Sequence, residues 1–411
     1  MRRLLLLILS VAVIDVAWGA DAHWIGSWGA SPLPPGPALG PFPATPSYAN
    51  VTIRQLVRLS AGGRQLRLRL SNEYGAKALE IGAVHVALAG ADGTLRSGTD
   101  HAVTFAGATK ATIPAGAPLV SDPIDLPVAA LDTLSVSIYL PEDTGPCTCH
   151  STGMQDAYVS KPGDFTKGTF EPASTMQSRA FLTAVDVNAD RASHTIVVLG
   201  DSISDGIGST PNMNHRWPDL LADRLADRGG RQSWGVVNEG ISGNRILADG
   251  AGQSALTRFD RDVLSVPGVD YLIVFEGVND LGFAYGKFEG PLAAMRDSMP
   301  AGQATAEALI GGLRQIIERA HSHGIKVFGA TIAPYDGASY YSTEGNAVRE
   351  RVNDWIRKGG EFDAVLDFDA VLRDPNQPTK IRDGWHAGDH LHGSDAGYRA
   401  LVDSIDLGLF R

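Results

Sequence analysis

The chain has 411 residues, 44% of them hydrophobic and 20% charged, with a formal net charge of −11. That length favours two hydrophobic cores over one. The acidic balance argues against nucleic acid and anionic lipid surfaces as partners, because both demand clustered Lys and Arg.

The first segment, "MRRLLLLILSVAVIDVAWGADA", sets two arginines before an apolar run and ends in small residues. Ala17-Trp18-Gly19 and Ala20-Asp21-Ala22 are both acceptable cleavage patterns, so residues 1–22 are expected to be a signal peptide and the protein to be secreted or periplasmic. Asp15 interrupts the apolar run before the roughly 20 residues that a membrane span needs, and no later segment is apolar for long enough.

From Val51 to Leu140 the pattern is short alternating runs separated by turn residues. "TIRQLVRLS", then Ala61-Gly62-Gly63, then "RQLRLRLSNEYG" reads as a hairpin, and "LEIGAVHVALAG" and "DTLSVSIYLP" continue the series. Such a series predicts a β-sandwich or jelly-roll-like domain over residues 23–190. The two cysteines, Cys147 and Cys149 in "GPCTCHSTG", allow either a tight local disulfide clip in an exported protein or two free thiols. Together with His150 they offer too few ligands for a metal, and there is no second Cys pair to add to them.

After about Arg191 the character changes. "TIVVLG", "YLIVFEGVND", "KVFGATIAPY" and "AVLDFDAVL" are continuous apolar runs, as strands buried on both faces should be. Between them "RWPDLLADRLADR", "ATAEALIGGLRQIIERAHSHG" and "NAVRERVNDWIRKGG" carry apolar residues at three- and four-residue intervals. The alternation predicts a parallel sheet with helices on both sides over residues 191–411.

An open parallel sheet binds its ligands beyond the carboxyl ends of its strands. Three such ends carry unusual polar residues: Gly200-Asp201-Ser202, Asn238 to Arg245 in "VVNEGISGNR", and Gly277-Val278-Asn279-Asp280. A fourth cluster, "HAGDHLHGSDAGY", lies near the C-terminus. A nucleophilic serine needs a base and a third group that orients the base, and Asp389 with His392 supplies both. Gly243 and Asn279 suit the donors that a developing oxyanion requires. Ser204 is read as capping the following helical turn, Asp201 as bonding the loop backbone, and Glu239 and Glu276 as bonding loop amides. His390 is placed at the rim or facing solvent.

These four segments resemble the four blocks of the SGNH hydrolases, also called the GDSL lipase and acylhydrolase superfamily. The resemblance implies a flavodoxin-like three-layer α/β/α catalytic domain. It further implies Ser202 as nucleophile, Asp389 and His392 as the rest of the triad, and an oxyanion hole from Ser202, Gly243 and Asn279. The first block reads Gly-Asp-Ser-Ile where Gly-Asp-Ser-Leu gives the superfamily its name. "WIGSWGASP" and the runs after it are similar to a subgroup that carries a β-rich domain ahead of the catalytic one. The function expected is a secreted serine esterase acting on short-chain or carbohydrate-borne acyl groups, with no cofactor and no metal. Two rivals are a carbohydrate-binding protein with a vestigial hydrolase domain and a metal-dependent deacetylase built on His386, Asp389, His390 and His392. The second leaves Ser202, Gly243 and Asn279 without a role. A histidine base also implies activity that rises as an imidazole loses its proton, ordinarily near pH ~6.5.

Overall fold

The computed structural model describes residues 22–38, 44–90, 93–230, 232–288, 293, 296–297 and 304–411. The expected signal peptide, apart from Ala22, lies outside the described residues.

The first part of the chain is built on two large antiparallel sheets, with two smaller two-stranded ones beside them. In the six-stranded sheet Val51–Arg58 lies between Thr133–Leu140 and Ala157–Pro162; in the four-stranded sheet Leu66–Ser71 lies between Leu182–Ala189 and Pro118–Val120. The expected hairpin of Val51–Arg58 with Leu66–Ser71 is therefore not formed. Its two arms sit in different sheets, and their alternating faces meet across one core. Ile53, Val57, Val136 and Ile138 from one sheet share a buried cluster with Leu66, Leu68, Leu70, Val185 and Val187 from the other. This is the packing of a sandwich. The Gly62-Gly63 link carries the chain across, and the Gly63 and Arg64 N–H groups donate to Val128 and Asn188 carbonyls at 2.9 Å each. Cys147 and Cys149 are joined in a disulfide, and both are buried.

The second part is a five-stranded parallel sheet. Its strands, in chain order, are β1 (His194–Gly200), β2 (Trp234–Gly240), β3 (Val269–Phe275), β4 (Lys326–Ala330) and β5 (Ala364–Leu366). They lie in the order β2-β1-β3-β4-β5, the flavodoxin-like order, whose switch point falls between β1 and β3. Gly200 at the end of β1 stands level with Gly240 of β2 and Phe275 of β3, so these three exits open at one rim.

The three helical patterns form Trp217–Asp227, Ala306–His321 and Thr343–Lys358. Thr305 and Ser342 cap the second and third by accepting backbone N–H bonds. Trp217 is fully buried and meets Phe275 and Phe368 edge-on, with ring centroids 6.5 and 5.7 Å apart. No helix among the described residues is long and apolar enough to cross a membrane.

The sandwich and the α/β unit touch along their backbones. Strand His23–Gly29 of the sandwich runs beside β2, and a Cβ on Gly235 would fall 1.8 Å from the Gly26 carbonyl oxygen. Only glycine permits that approach. Gly26 N–H reaches the Pro267 carbonyl at 3.0 Å, and Ser60 Oγ accepts from Val236 N–H at 2.8 Å.

Candidate active site

At the exit of β1, Asp201 accepts the Ile203 N–H at 2.9 Å and so caps the one-turn helix Ser202–Asp205. The cap is thus Asp201 and not Ser204. Ser204 is wholly buried and accepts from Trp217 Nε1 at 3.3 Å instead. Asp201 bonds the local backbone, as expected, and burial pushes its carboxyl up to about 7.

Ser202, the first residue of that turn, stands with its Oγ 2.8 Å from His392 Nε2. The other ring nitrogen, Nδ1, lies 2.6 Å from Asp389 Oδ2. Asp389 Oδ1 accepts the N–H groups of Leu391 and His392 at 3.0 Å each, which fixes the carboxylate to its own loop. Partial burial would raise the Asp389 carboxyl, but the hydrogen bonds from His392 and Leu391 and the charge of the imidazole hold it well below the usual carboxylate range. Side-chain exposure rises outward along this chain, from 16% at His392 to 46% at Asp389.

His390 turns aside from Ser202. Its backbone has φ +59°, and its ring lies over that of His386 with centroids 4.2 Å apart. His386 Nδ1 accepts the Gly388 and His390 N–H groups at 3.0 and 3.3 Å. Among the described residues no three His, Cys, Asp or Glu side chains are grouped so as to hold a metal ion.

The turn after β2 lies across the exit of β1, where the Ile241 N–H donates to the Gly200 carbonyl at 2.9 Å. Gly243 in that turn has φ +81°, which a side chain would strain. Asn279, at the start of helix Val278–Tyr285, donates Nδ2 to the Asn244 carbonyl at 3.0 Å and accepts the Tyr340 hydroxyl at 3.3 Å. Its neighbour Asp280 accepts the Ile246 and Leu247 N–H groups at 2.8 and 3.1 Å. Burial pushes the Asp280 carboxyl up to about 6. Among the described residues no acceptor takes the N–H of Ser202 or of Gly243. The structure thus brings Ser202, His392 and Asp389 into one hydrogen-bonded chain, and it sets the Gly243 turn and Asn279 in contact at the same rim.

Arg258 escapes a reading of the sequence. Fully buried, it donates to the Gly200 carbonyl at 3.0 Å, Asn244 Oδ1 at 3.0 Å, Asp262 at 2.9 Å and Glu276 at 3.4 Å, and also to the Glu239 carbonyl. One guanidinium therefore ties three strand exits to the Gly243 turn. Glu276 serves that cation rather than a loop amide, because a buried guanidinium demands carboxylate partners. Among the described residues the Glu239 carboxyl bonds no loop amide either. The signal in the sequence is faint: Ser254, which caps the short helix Ala255–Phe259, and one arginine among apolar neighbours.

Residues 198–400 match the model of the GDSL-like lipase/acylhydrolase family. Comparison with curated proteins finds no match. Among solved structures, similar ones include a lipase/acylhydrolase from Enterococcus faecalis, at 21% identity and TM-score 0.38, covering 51% of this chain and 92% of that one. A GDSL-like lipase from Bacteroides thetaiotaomicron VPI-5482 has 16% identity and TM-score 0.38, covering 52% of this chain and 87% of its own. A carbohydrate acetylesterase family member from Sinorhizobium meliloti has 16% identity and TM-score 0.38, covering 51% and 94%. By the family match, residues 198–400 form a GDSL-like lipase/acylhydrolase domain.

Proposed function

We propose that the chain is an exported serine esterase that opens carboxylic esters through an acyl-enzyme on Ser202. As Ser202 Oγ bonds the ester carbonyl carbon, His392 Nε2 takes its proton. Asp389 stays ionised, holds the imidazole with its proton on Nδ1, and stabilises the imidazolium that forms. The carbonyl oxygen becomes an oxyanion facing the N–H groups of Ser202 and Gly243 and the amide of Asn279. Collapse breaks the bond to the alcohol oxygen, which leaves with the proton from His392. Water then gives a proton to His392 and attacks the acyl carbon; the carboxylic acid departs and Ser202 Oγ recovers its proton.

The observation that carries this reading is the continuous chain of hydrogen bonds Ser202–His392–Asp389, 2.8 and 2.6 Å. The N–H groups of Ser202 and Gly243, which no acceptor among the described residues takes, support it, since they leave donors where charge would develop. His392 has both nitrogens engaged in this chain, which favours proton transfer over metal ligation. The half-exposed Asp389 makes the rim open, which favours small acyl groups or ones borne on a carbohydrate polymer. Export rests on the N-terminal leader.

A fluorophosphonate probe and p-nitrophenyl acetate test the reading. The probe is expected to label the wild type and not Ser202→Ala, and that variant should lose about 10³-fold or more in kcat. Unchanged turnover by Ser202→Ala would overturn it. So would activity lost to a chelator and restored by zinc.

A further inference from the structure

Asp205 ends the one-turn helix that Ser202 begins. Its side chain is almost wholly buried, and its two oxygens look in different directions. Oδ2 accepts the Ser242 N–H at 3.0 Å and the Ser242 hydroxyl at 2.6 Å. Oδ1 lies 2.9 Å from Nε2 of His150, which belongs to the sandwich. Ser242 immediately precedes Gly243, so this carboxylate grips the oxyanion turn by its first residue.

The surroundings of His150 state its charge. Nδ1 lies 2.8 Å from the Ser31 carbonyl; Nε2 faces both Asp205 and, at 3.1 Å, the Thr152 carbonyl. The two carbonyls can only accept and the third partner is a carboxylate, so the imidazolium, donating from both nitrogens, is the form that these contacts favour. Burial would lower the imidazole, yet the charge and hydrogen bond of Asp205 and the two carbonyls outweigh it and hold the group above its ordinary value.

The short strand that presents His150 is braced on each side. Cys149 and His150 pair with Ala180 and Arg179, the Cys149 carbonyl accepts the Leu33 N–H at 2.8 Å, and the Cys147–Cys149 disulfide closes the preceding residues. Thr152, from the same loop, adds a 3.3 Å contact to the Ser242 hydroxyl.

We propose that His150 is a positioning residue for the oxyanion turn, holding Gly243 in place through Asp205 and Ser242, so that the sandwich completes the active site of the other unit. The inference rests on the proposed acyl transfer at Ser202. It gives the "CTCH" stretch a purpose that metal binding did not supply. Without the imidazolium, Asp205 Oδ1 would lose its one side-chain partner from the sandwich, and the buried carboxylate, freed on that side, would lose part of its hold on Ser242. The Gly243 N–H would then drift from the oxyanion.

The test uses the full chain with p-nitrophenyl acetate, in His150→Ala, Ser242→Ala and the double variant, with circular dichroism to verify the fold. His150→Ala is expected to lower kcat about 10- to 100-fold with KM changed by less than about threefold, below the loss for removing an oxyanion donor outright. Ser242→Ala should cost about 3- to 10-fold in kcat, and the double variant should lose no more than His150→Ala, because both act through one contact. The rate of fluorophosphonate labelling should fall in parallel with kcat. Wild-type kcat in His150→Ala, or losses that multiply in the double variant, overturn the proposal while an inactive Ser202→Ala leaves the esterase reading intact. Activity retained by Ser202→Ala sinks that reading first. If His150→Ala does not fold, Ser242→Ala decides by itself: an unchanged kcat overturns the proposal.

Discussion

Two histidine–aspartate pairs flank the same short helix, and they differ in almost everything except their chemistry. His392 and Asp389 meet at 2.6 Å near the surface, with 16% and 46% of their side chains exposed. His150 and Asp205 meet at 2.9 Å with 5% and 2% exposed. What separates them is the partner of the second ring nitrogen. For His392 it is the Ser202 hydroxyl, which can yield a proton; for His150 it is the Ser31 carbonyl, which has none to give. The rim pair is thus placed to cycle a proton, whereas the buried pair favours its charged form and, as proposed above, serves as a strut. The pair alone does not determine the role. Its third neighbour does.

The largest effect that would sharpen this contrast is expected from Asp389→Asn. An amide would turn its N–H₂ or its carbonyl toward His392 without holding the required tautomer, and kcat should fall about 10⁴-fold, about 5.5 kcal/mol of transition-state stabilisation. Steady-state turnover of p-nitrophenyl acetate measures it. A smaller loss than that of His150→Ala would reverse the two roles assigned to the pairs. Next in size stands Asn279→Ala on the oxyanion side. Removing this amide should lower kcat about 10²- to 10³-fold with little change in KM, as expected for a contact made in the transition state. A loss confined to KM would move Asn279 from the oxyanion to substrate binding.

The contrast also explains which residues could be read in advance. Ser202, Gly243, Asn279, Asp389 and His392 each stand at a strand exit or in a short motif, where local order implies local geometry. The parallel strands were legible for a similar reason, since both faces of each are buried and their apolar runs are unbroken. His150 and Arg258 were not legible, because neither stands at a strand exit or in a motif that announces its partners, Asp205 and the Gly200 carbonyl. In sequence a histidine beside two cysteines suggests a ligand, and an arginine in a short helix suggests a solvated face. The failed hairpin has the same origin. Val51–Arg58 and Leu66–Ser71 are neighbours in the chain, but packing across the sandwich core outweighed that proximity and paired Val51–Arg58 with Thr133–Leu140. Ser204 and Asp201 could each have capped the turn, and only the placement of Trp217 assigns Ser204 to a different bond.

The smallest effect lies in stability, and it gives the two pairs opposite pH signatures. The folded state holds the His150 proton more tightly than the unfolded chain does. Its contribution is therefore complete below the ordinary imidazole value of about 6.5 and is lost as pH rises through the raised folded value. Asp389 is depressed, so its contribution is present above the ordinary carboxylate value of about 3.9 and disappears only as pH falls through the depressed one. The double variant His150→Gln/Asp205→Asn removes both titrating groups of the buried pair. Its Tm deficit relative to the wild type should be widest near pH 6 and narrow by a few degrees toward pH ~10. Asp389 itself keeps its charge over that range, so Asp389→Asn should still show a deficit at pH ~10. Thermal unfolding of the three proteins at several pH values decides between these outcomes. A deficit of the double variant that holds constant or widens as pH rises would mean that His150 is not the fixed cation, and the distinction between a strut and a proton carrier would have to be drawn elsewhere.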